Sequence, residues 1–395
     1  MIHAAALAIG ALLVMLSLPG TLELLLVTVG AILPPRAPNP GNRQARVRRL
    51  AVVIPAHDEA SSIAAAVSSV AACVRPESLI RLAIVVVADN CRDHTATAAA
   101  AAGADVIERF DSDRRGKGYA LQYAFARLTA DGFDAFLVVD ADTKVESNLL
   151  TEVVGLLNDG ADAVQTRYLV LNPTAALRTR LMNTALMAAN VVRPRGRQRL
   201  GLSAGILGNG FAVTSGTLAA APYDASSIVE DLEYSLRLVT SGRRVQFADK
   251  TTVRALMPGA GPGVESQRLR WEGGRFRMLG RHAPALAREV LRGRVALIEP
   301  LLDLLLLPLA FHVVLLGAAL IIPIALCRIY AVFALTLVFF HIIVAIVVGG
   351  GGWRDLAVLL VAPFYVLWKL RLLPKILRAA SGDMPWTRTE RVFDR

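Results

Sequence analysis

Residues 4–34 read AAALAIGALLVMLSLPGTLELLLVTVGAILP, and only Glu23 among them carries a charge. A run this long and apolar has no place on the surface of a water-soluble domain, and a helix needs about 20 such residues to cross a bilayer. A secretory leader is the competing reading. Its apolar region would be shorter, about 7–15 residues, with positive charge ahead and a small-residue cleavage site behind. No Lys or Arg precedes the run. It is expected to form one long span, or a span plus an interfacial piece, kinked near Pro19-Gly20. Glu23 would then face another helix or the interface.

Apolar blocks recur at 297–326, 329–348 and 355–370, and Gly349–Gly352 reads as a turn between spans. Mean hydropathy over the 395 residues is +0.49, yet 19% of them are charged. That is too apolar for a soluble domain and too charged for a membrane bundle, so a soluble middle is expected between membrane segments. The expected divisions are 1–34, a membrane segment; 35–262, a cytosolic domain; 263–295, basic interfacial helices; 296–378, a membrane region of about three spans; and 379–395, a polar tail.

Five Arg lie between Arg36 and Arg49. The positive-inside rule puts that side, and the middle domain, in the cytosol of a multi-pass protein of the inner (cytoplasmic) membrane. Three C-terminal spans would then leave the C-terminus outside, whereas Lys369, Arg371, Lys375 and Arg378 favour inside. Either one block is re-entrant or the last lies on the surface. Gln267–Arg294 holds eight Arg against Glu272 and Glu289, the pattern of an interfacial helix. The formal net charge of +11 suits anionic lipid or a phosphorylated substrate. Nucleic acid is not expected as a partner, because aromatics do not interleave with the basic patches. Cys73, Cys91 and Cys327 are scattered and odd in number, and the six His lack metal-ligand spacing. No disulfide framework or zinc site follows.

Within the middle, LAVVIPA (50–56), LAIVVVAD (82–89), DVIERF and FLVVDAD read as strands. Ser61–Val74, Thr95–Ala102 and GYALQYAFARL (118–128) read as helices between them. Continuous apolar strands alternating with helices predict an α/β domain with a mostly parallel, doubly covered sheet. Ligands then gather at the carboxyl ends of the strands.

Those ends carry acids. The run FLVV finishes in Asp140-Ala141-Asp142. Alternate side chains of an extended segment share a face, so both carboxylates can meet a hard divalent cation holding a diphosphate. Asp58 and Glu59 follow the first strand, and Asp89 ends the second. Asp93 reads as a helix cap. Lys117 stands between glycines ahead of a helix, but Asp111 occupies the first Gly position of a Walker loop and no Ser or Thr follows the lysine. GILGNG lacks the GxGxxG order. Neither a P-loop NTPase nor a dinucleotide oxidoreductase is supported. Glu230-Asp231 opens a helical pattern, where acids also suit the helix dipole. QRLRW offers Gln267, Arg270 to fork onto a diphosphate, and Trp271 to stack on a sugar.

In order, VVIPAHDEA, VVVADNCRDHT, RRGKGYAL, VVDADT, GNGFAVTSG, VEDLEYSLRL and QRLRW resemble the membrane-embedded family 2 glycosyltransferases over 51–271. These include cellulose, chitin and hyaluronan synthases, NodC-like enzymes and ceramide glucosyltransferases. The resemblance implies a GT-A (Rossmann-like) fold flanked by transmembrane helices, a nucleotide-sugar donor that is usually UDP-linked, inversion at the anomeric carbon, and Mg2+ or Mn2+ as cofactor. It implies Asp89 as the uridine-binding acid with Glu59 nearby, Lys117 toward the diphosphate, and Asp140 and Asp142 at the metal. It implies Asp231, beside Glu230, as general base. Gln267, Arg270 and Trp271 would hold the diphosphate and the acceptor end, and Gly208, Asn209, Gly210 and Phe211 would form the acceptor-side loop. GNGF departs from the more familiar polymer-synthase forms, and Arg268 stands where many synthases carry a second Gln. The expected product is a growing β-linked polysaccharide at the cytoplasmic membrane face, with an oligomer or export components as further partners. The alternative is a single sugar placed on a membrane lipid. With both acid motifs present, a non-catalytic scaffold is disfavoured.

Overall fold

The computed structural model describes residues 1–35, 46–224, 227–259 and 261–381. Most of the expected basic linker (36–45) and of the polar tail (382–395) lies outside them. The chain divides into two compact units. One gathers Met1–Pro34, Arg180–Leu200 and the described residues from Glu272 to Ser381; the other holds Pro35–Thr179 and Gly201–Trp271.

The second unit is built on eight strands: β1 Arg49–Ala56, β2 Arg81–Asp89, β3 Asp105–Arg109, β4 Ala135–Val138, β5 Thr143–Val145, β6 Ala163–Val170, β7 Phe211–Thr214 and β8 Val245–Ala255. They form one sheet in the order β3-β2-β1-β4-β7-β6-β8-β5. β1 runs parallel to both β2 and β4, with Val53 facing Val85 on one side and Val138 on the other. β7 is antiparallel to β4 and β6, and β5 to β8; β6 and β8 are parallel, with a bulge at Thr166/Arg167. Leu50 to Ile54 are wholly buried, as a strand covered on both faces must be. Their alternation sorts the core. Val53, Val85 and Phe136 pack with Leu121 and Phe125 on one face, while Val52, Ile54 and Leu137 pack with Ile63, Val67 and Leu150 on the other. The chain leaves β1 toward β2 on one side and reaches β4 on the other, so β1 and β4 flank a switch point where a ligand crevice opens.

The first unit is helical. Ile2–Ile32 is one helix with Pro19 inside it, so the separate interfacial piece is not seen. The former reading of a basic interfacial stretch becomes a single helix, Pro262–Leu291, which passes from one unit to the other at Trp271/Glu272. The block expected as a span over 297–326 is broken: Val295–Leu305 and Leu309–Ile321 meet at 81°. Pro308 explains the break, since it disfavours helical backbone before it and supplies no N–H. Among the described residues, three helices are long and apolar enough to cross a membrane, Ile2–Ile32, Ala325–Gly349 and Trp353–Ser381, and a fourth if the bent pair is one span.

Arg180–Leu200 was not read as part of this unit. It packs closely on the first helix, where a Cβ on Gly196 would lie 2.1 Å from the Val27 carbonyl oxygen. Glu23 faces this segment: its carboxylate takes Arg193 Nε at 2.8 Å and Arg197 Nη1 at 3.5 Å. Arg193 also pairs with Asp303, and Arg197 with Glu299 at 2.8 Å.

Candidate active site

β4 delivers the paired aspartates. Val139 and Ala141 turn into the core, 0% and 5% exposed, which leaves Asp140 and Asp142 half-buried at the crevice. The turn between β4 and β5 is held at both ends by Asn209, whose side chain is wholly buried. Asp140 N donates to Asn209 Oδ1 at 3.1 Å, and Asn209 Nδ2 donates to Thr143 Oγ1 at 2.8 Å. Gln165 holds the loop that carries Asn209: its Nε2 donates to Asn209 O at 2.7 Å and its Oε1 accepts from Leu207 N at 2.8 Å. Gly210 completes the clamp at φ +68°, where a Cβ would lie 2.2 Å from Thr166 Oγ1, so no larger residue fits without displacement.

Lys117 opens the helix Lys117–Ala130 after Gly116. Its ammonium pairs with Asp140 and donates to Gly208 O at 2.5 Å. Burial alone would lower its pKa, but Asp140, Glu230 and Asp231 outweigh that and raise it. Glu230 and Asp231 open the helix Glu230–Thr240. Burial, then the neighbouring Asp231 carboxylate, pushes Glu230 up to about 7. Burial also raises Asp231, against the pull of the Leu232 N–H, which donates to its Oδ1 at 2.8 Å. Gly208 sits against Asp231: an added Cβ would be 3.2 Å from Oδ2. Tyr168 on β6 belongs to the same neighbourhood. Burial first, then Asp140 and Asp142, raises its phenol well above the ordinary value. Arg270 is the second cation felt here, lowering both Glu230 and Tyr168.

Asp140, Asp142, Lys117, Gly208, Glu230, Asp231 and Arg270 thus come together. Two other expectations land differently. Asn209 and Phe211 of the acceptor-side loop are buried, 0% and 1% exposed, and Phe211 is part of the core. Gly208 and Gly210 are buried as well, so the stretch presents no exposed side chain to an acceptor. Gln267 is buried with its amide 3.7 Å from Met257 Sδ, while Arg268 lies 5.5 Å over the ring of half-buried Trp271.

At the ends of β1 and β2, Glu59 and Asp89 are both buried. Asp89 Oδ1 accepts from Arg109 Nη1 at 2.5 Å and from Asn90 Nδ2 at 3.0 Å. Arg109, 20 residues on and unremarked in the sequence, neutralises the acid expected at the base. Ser62 Oγ donates to Glu59 Oε2 at 2.8 Å. Asp93 is not the N-cap of the helix Thr95–Ala101, which is His94; it stands one residue ahead, its Oδ1 accepting from Thr95 N at 2.9 Å. Among the described residues, the one group of three metal-ligand side chains is Asp58, Cys91 and Asp93. It does not suit an ion: the carboxylates accept from the N–H groups of Arg92, Ala60 and Thr95, and burial pushes the Cys91 thiol up.

A divalent cation fits the aspartate pair better. Four carboxylates, Asp140, Asp142, Glu230 and Asp231, share this neighbourhood with two cations, Lys117 and Arg270. Carboxylate oxygens suit a hard ion that takes one or two protein ligands and completes its shell with phosphate and water.

A probable glycosyltransferase from Bacillus subtilis (strain 168), YdaM, is 28% identical over 243 residues, 57% of this chain. The chain spans about half of that relative's length, 55%. A mannosyltransferase from Pyrobaculum calidifontis, solved with GDP-Man and Mn2+, is similar at TM-score 0.54 and 18% identity, covering 88% of this chain and 98% of its own. A glucosyl-3-phosphoglycerate synthase from Mycobacterium tuberculosis, solved with Mn2+, UDP and phosphoglyceric acid, matches at TM-score 0.37 and 22% identity, covering 56% and 75%. The fold is the GT-A arrangement, an α/β unit with a mostly parallel eight-stranded sheet. Residues 48–274 match the family described as glycosyltransferase like family 2, and the chain belongs to that family.

Proposed function

We propose that this protein is a membrane-bound, inverting glycosyltransferase that takes its sugar from a nucleotide-sugar donor. The observation that carries the reading is the convergence of Asp231, Lys117 and the Asp140/Asp142 pair on one crevice at the switch point of the sheet. Asp231 accepts the proton of the acceptor hydroxyl as that oxygen attacks the anomeric carbon. The bond from that carbon to the diphosphate breaks, and the nucleoside diphosphate leaves with the electron pair. Arg270 and Lys117 neutralise the charge that grows on it. Asp142, with Asp140, would hold Mg2+ or Mn2+, which supplies Lewis-acid stabilisation of the same leaving group. Asp89 and Glu59 face the base and ribose, and Trp271 the acceptor end. The mannosyltransferase with Mn2+ in its crystals supports a divalent ion here.

The three apolar helices, or four with the bent pair, support attachment to a membrane, and the Arg-rich stretch Arg36–Arg49 supports the reading of a cytoplasmic membrane with the sheet unit on its cytosolic side. A growing β-linked polysaccharide needs a path across the bilayer. Three or four candidate spans among the described residues are few for such a path, unless copies assemble. That count favours the second acceptor, a membrane lipid receiving one sugar. Product analysis with labelled UDP- and GDP-sugars separates them: one lipid-linked product is expected, and a ladder of oligomers would establish the polymer. Asp231→Asn tests the chemistry. Transfer should fall by about 10²–10⁴-fold while nucleotide binding persists; undiminished transfer would refute the assignment.

A further inference from the structure

Lys117 does not wait with its charge turned to an incoming anion. Its ammonium is engaged with Asp140 and with Gly208 O at 2.5 Å, and Glu230 and Asp231 are its next charged neighbours. We propose that Lys117 is a tethered counter-ion of the donor site: it holds Asp140 until a divalent cation takes that carboxylate, and the displaced ammonium then becomes a ligand of the donor's diphosphate. The inference rests on the transferase reading and adds an order of events to it.

The argument is one of charge and reach. A carboxylate oxygen engaged by an ammonium cannot also bind a small divalent ion directly without bringing two cations together, and their repulsion at such a distance is strong away from bulk water. One of them must leave. The metal has Asp142 as a second ligand, whereas Lys117 has a flexible four-carbon stem and three rotatable donors. Its Cα is held at the first turn of the helix Lys117–Ala130, so the head can move while the backbone stays. Both side chains of the pair are partly open to solvent, 21% and 28% exposed, which leaves room for the exchange. Without the lysine, the carboxylates of Asp140, Glu230 and Asp231 would face one another with Arg270 as the remaining cation. The exchange also links the two ligands. Metal frees a positive charge, and a diphosphate gives that charge a new partner, so each favours the binding of the other.

Binding measurements on the full chain in detergent test this apart from turnover. Mn2+ is titrated by electron paramagnetic resonance without nucleotide, and UDP and GDP are titrated by calorimetry at saturating Mn2+. Lys117→Met should bind Mn2+ about five- to tenfold more tightly than the unaltered protein. Whichever nucleotide the unaltered protein takes should bind about tenfold more weakly. Lys117→Arg keeps the charge and should not tighten Mn2+ binding. Unchanged or weaker Mn2+ binding by Lys117→Met overturns the proposal, as does equal tightening by Lys117→Arg, which would assign the effect to packing. If the unaltered protein binds neither Mn2+ nor nucleotide, the transferase reading itself fails and the proposal goes with it.

Discussion

Asn209 shows how a residue without access to any ligand can set the geometry of a site. Its side chain accepts from Asp140 N and donates to Thr143 Oγ1, so it spans the turn that presents both aspartates. Truncation to Ala leaves a buried N–H and a buried hydroxyl without these partners, at a cost of about 1–3 kcal/mol for each unsatisfied group. Asn209→Ala should therefore lower the urea midpoint and weaken Mn2+ binding, though no atom of Asn209 touches the ion. A stable variant with unaltered Mn2+ affinity would show that the turn holds itself. Asn209 was visible in the sequence only as part of GNGF, and its place there suggested an acceptor contact. Its role depends on β7 lying beside β4, a pairing that chain order does not reveal. Gln165 left a fainter trace: the run Gln165-Thr166-Arg167 interrupts a strand that is apolar at both ends, and Gln165 and Thr166 are 0% exposed.

At the scale of elements, β1, β2 and β4 were legible because each is a largely buried apolar run, whereas β3, the edge strand DVIER with Asp105 and Glu108 exposed, was legible only from its place after a helix. β5 to β8 were not. β6 and β8 include Gln165, Arg167, Gln246 and Lys250, and β5 has three residues, so neither run length nor alternation marks them. The acid pair at Glu230-Asp231 was legible as a helix start, but not its electrostatics. Acids in a first turn are ordinarily stabilised by the helix dipole; here burial outweighs that and Glu230 rises to about 7. The sign of the consequence follows. Between the ordinary carboxylate value of about 4.3 and the raised value, the folded state binds more protons than the unfolded one, so stability falls as pH rises. The contribution is fully present below that window and lost above it. Glu230→Gln, which mimics the protonated acid, should flatten this part of the profile. Denaturant melts at pH 4.5, 6 and 7.5 check it, and parallel profiles for the two proteins would mean that Glu230 titrates normally.

The whole chain visits its helical unit three times, and charges join the visits. Glu23 comes from the first, Arg193 and Arg197 from the second, and Arg275, Glu299 and Asp303 from the third. The second visit escaped the sequence reading for a physical reason. LRTRLMNTALMAANVVRPRGRQRL carries six Arg and has the look of a solvated surface helix, because the acids that neutralise them are far away in the chain. The same arrangement makes a directional prediction. Removing one partner of a shielded ion pair costs more than removing both, since the first leaves an unmatched charge. Arg193→Gln leaves Glu23 with the longer contact to Arg197 and Asp303 with the longer contact to Arg275, and should destabilise the protein by about 3 kcal/mol. Adding Glu23→Gln to it should restore part of that loss, because one of the two under-neutralised carboxylates is then neutral. Thermal unfolding of the full chain in detergent, followed by light scattering, distinguishes the outcomes. Additive losses in the double variant would mean that the two residues act independently and that apolar packing, such as the Gly196–Val27 approach, holds the visits together without help from charge.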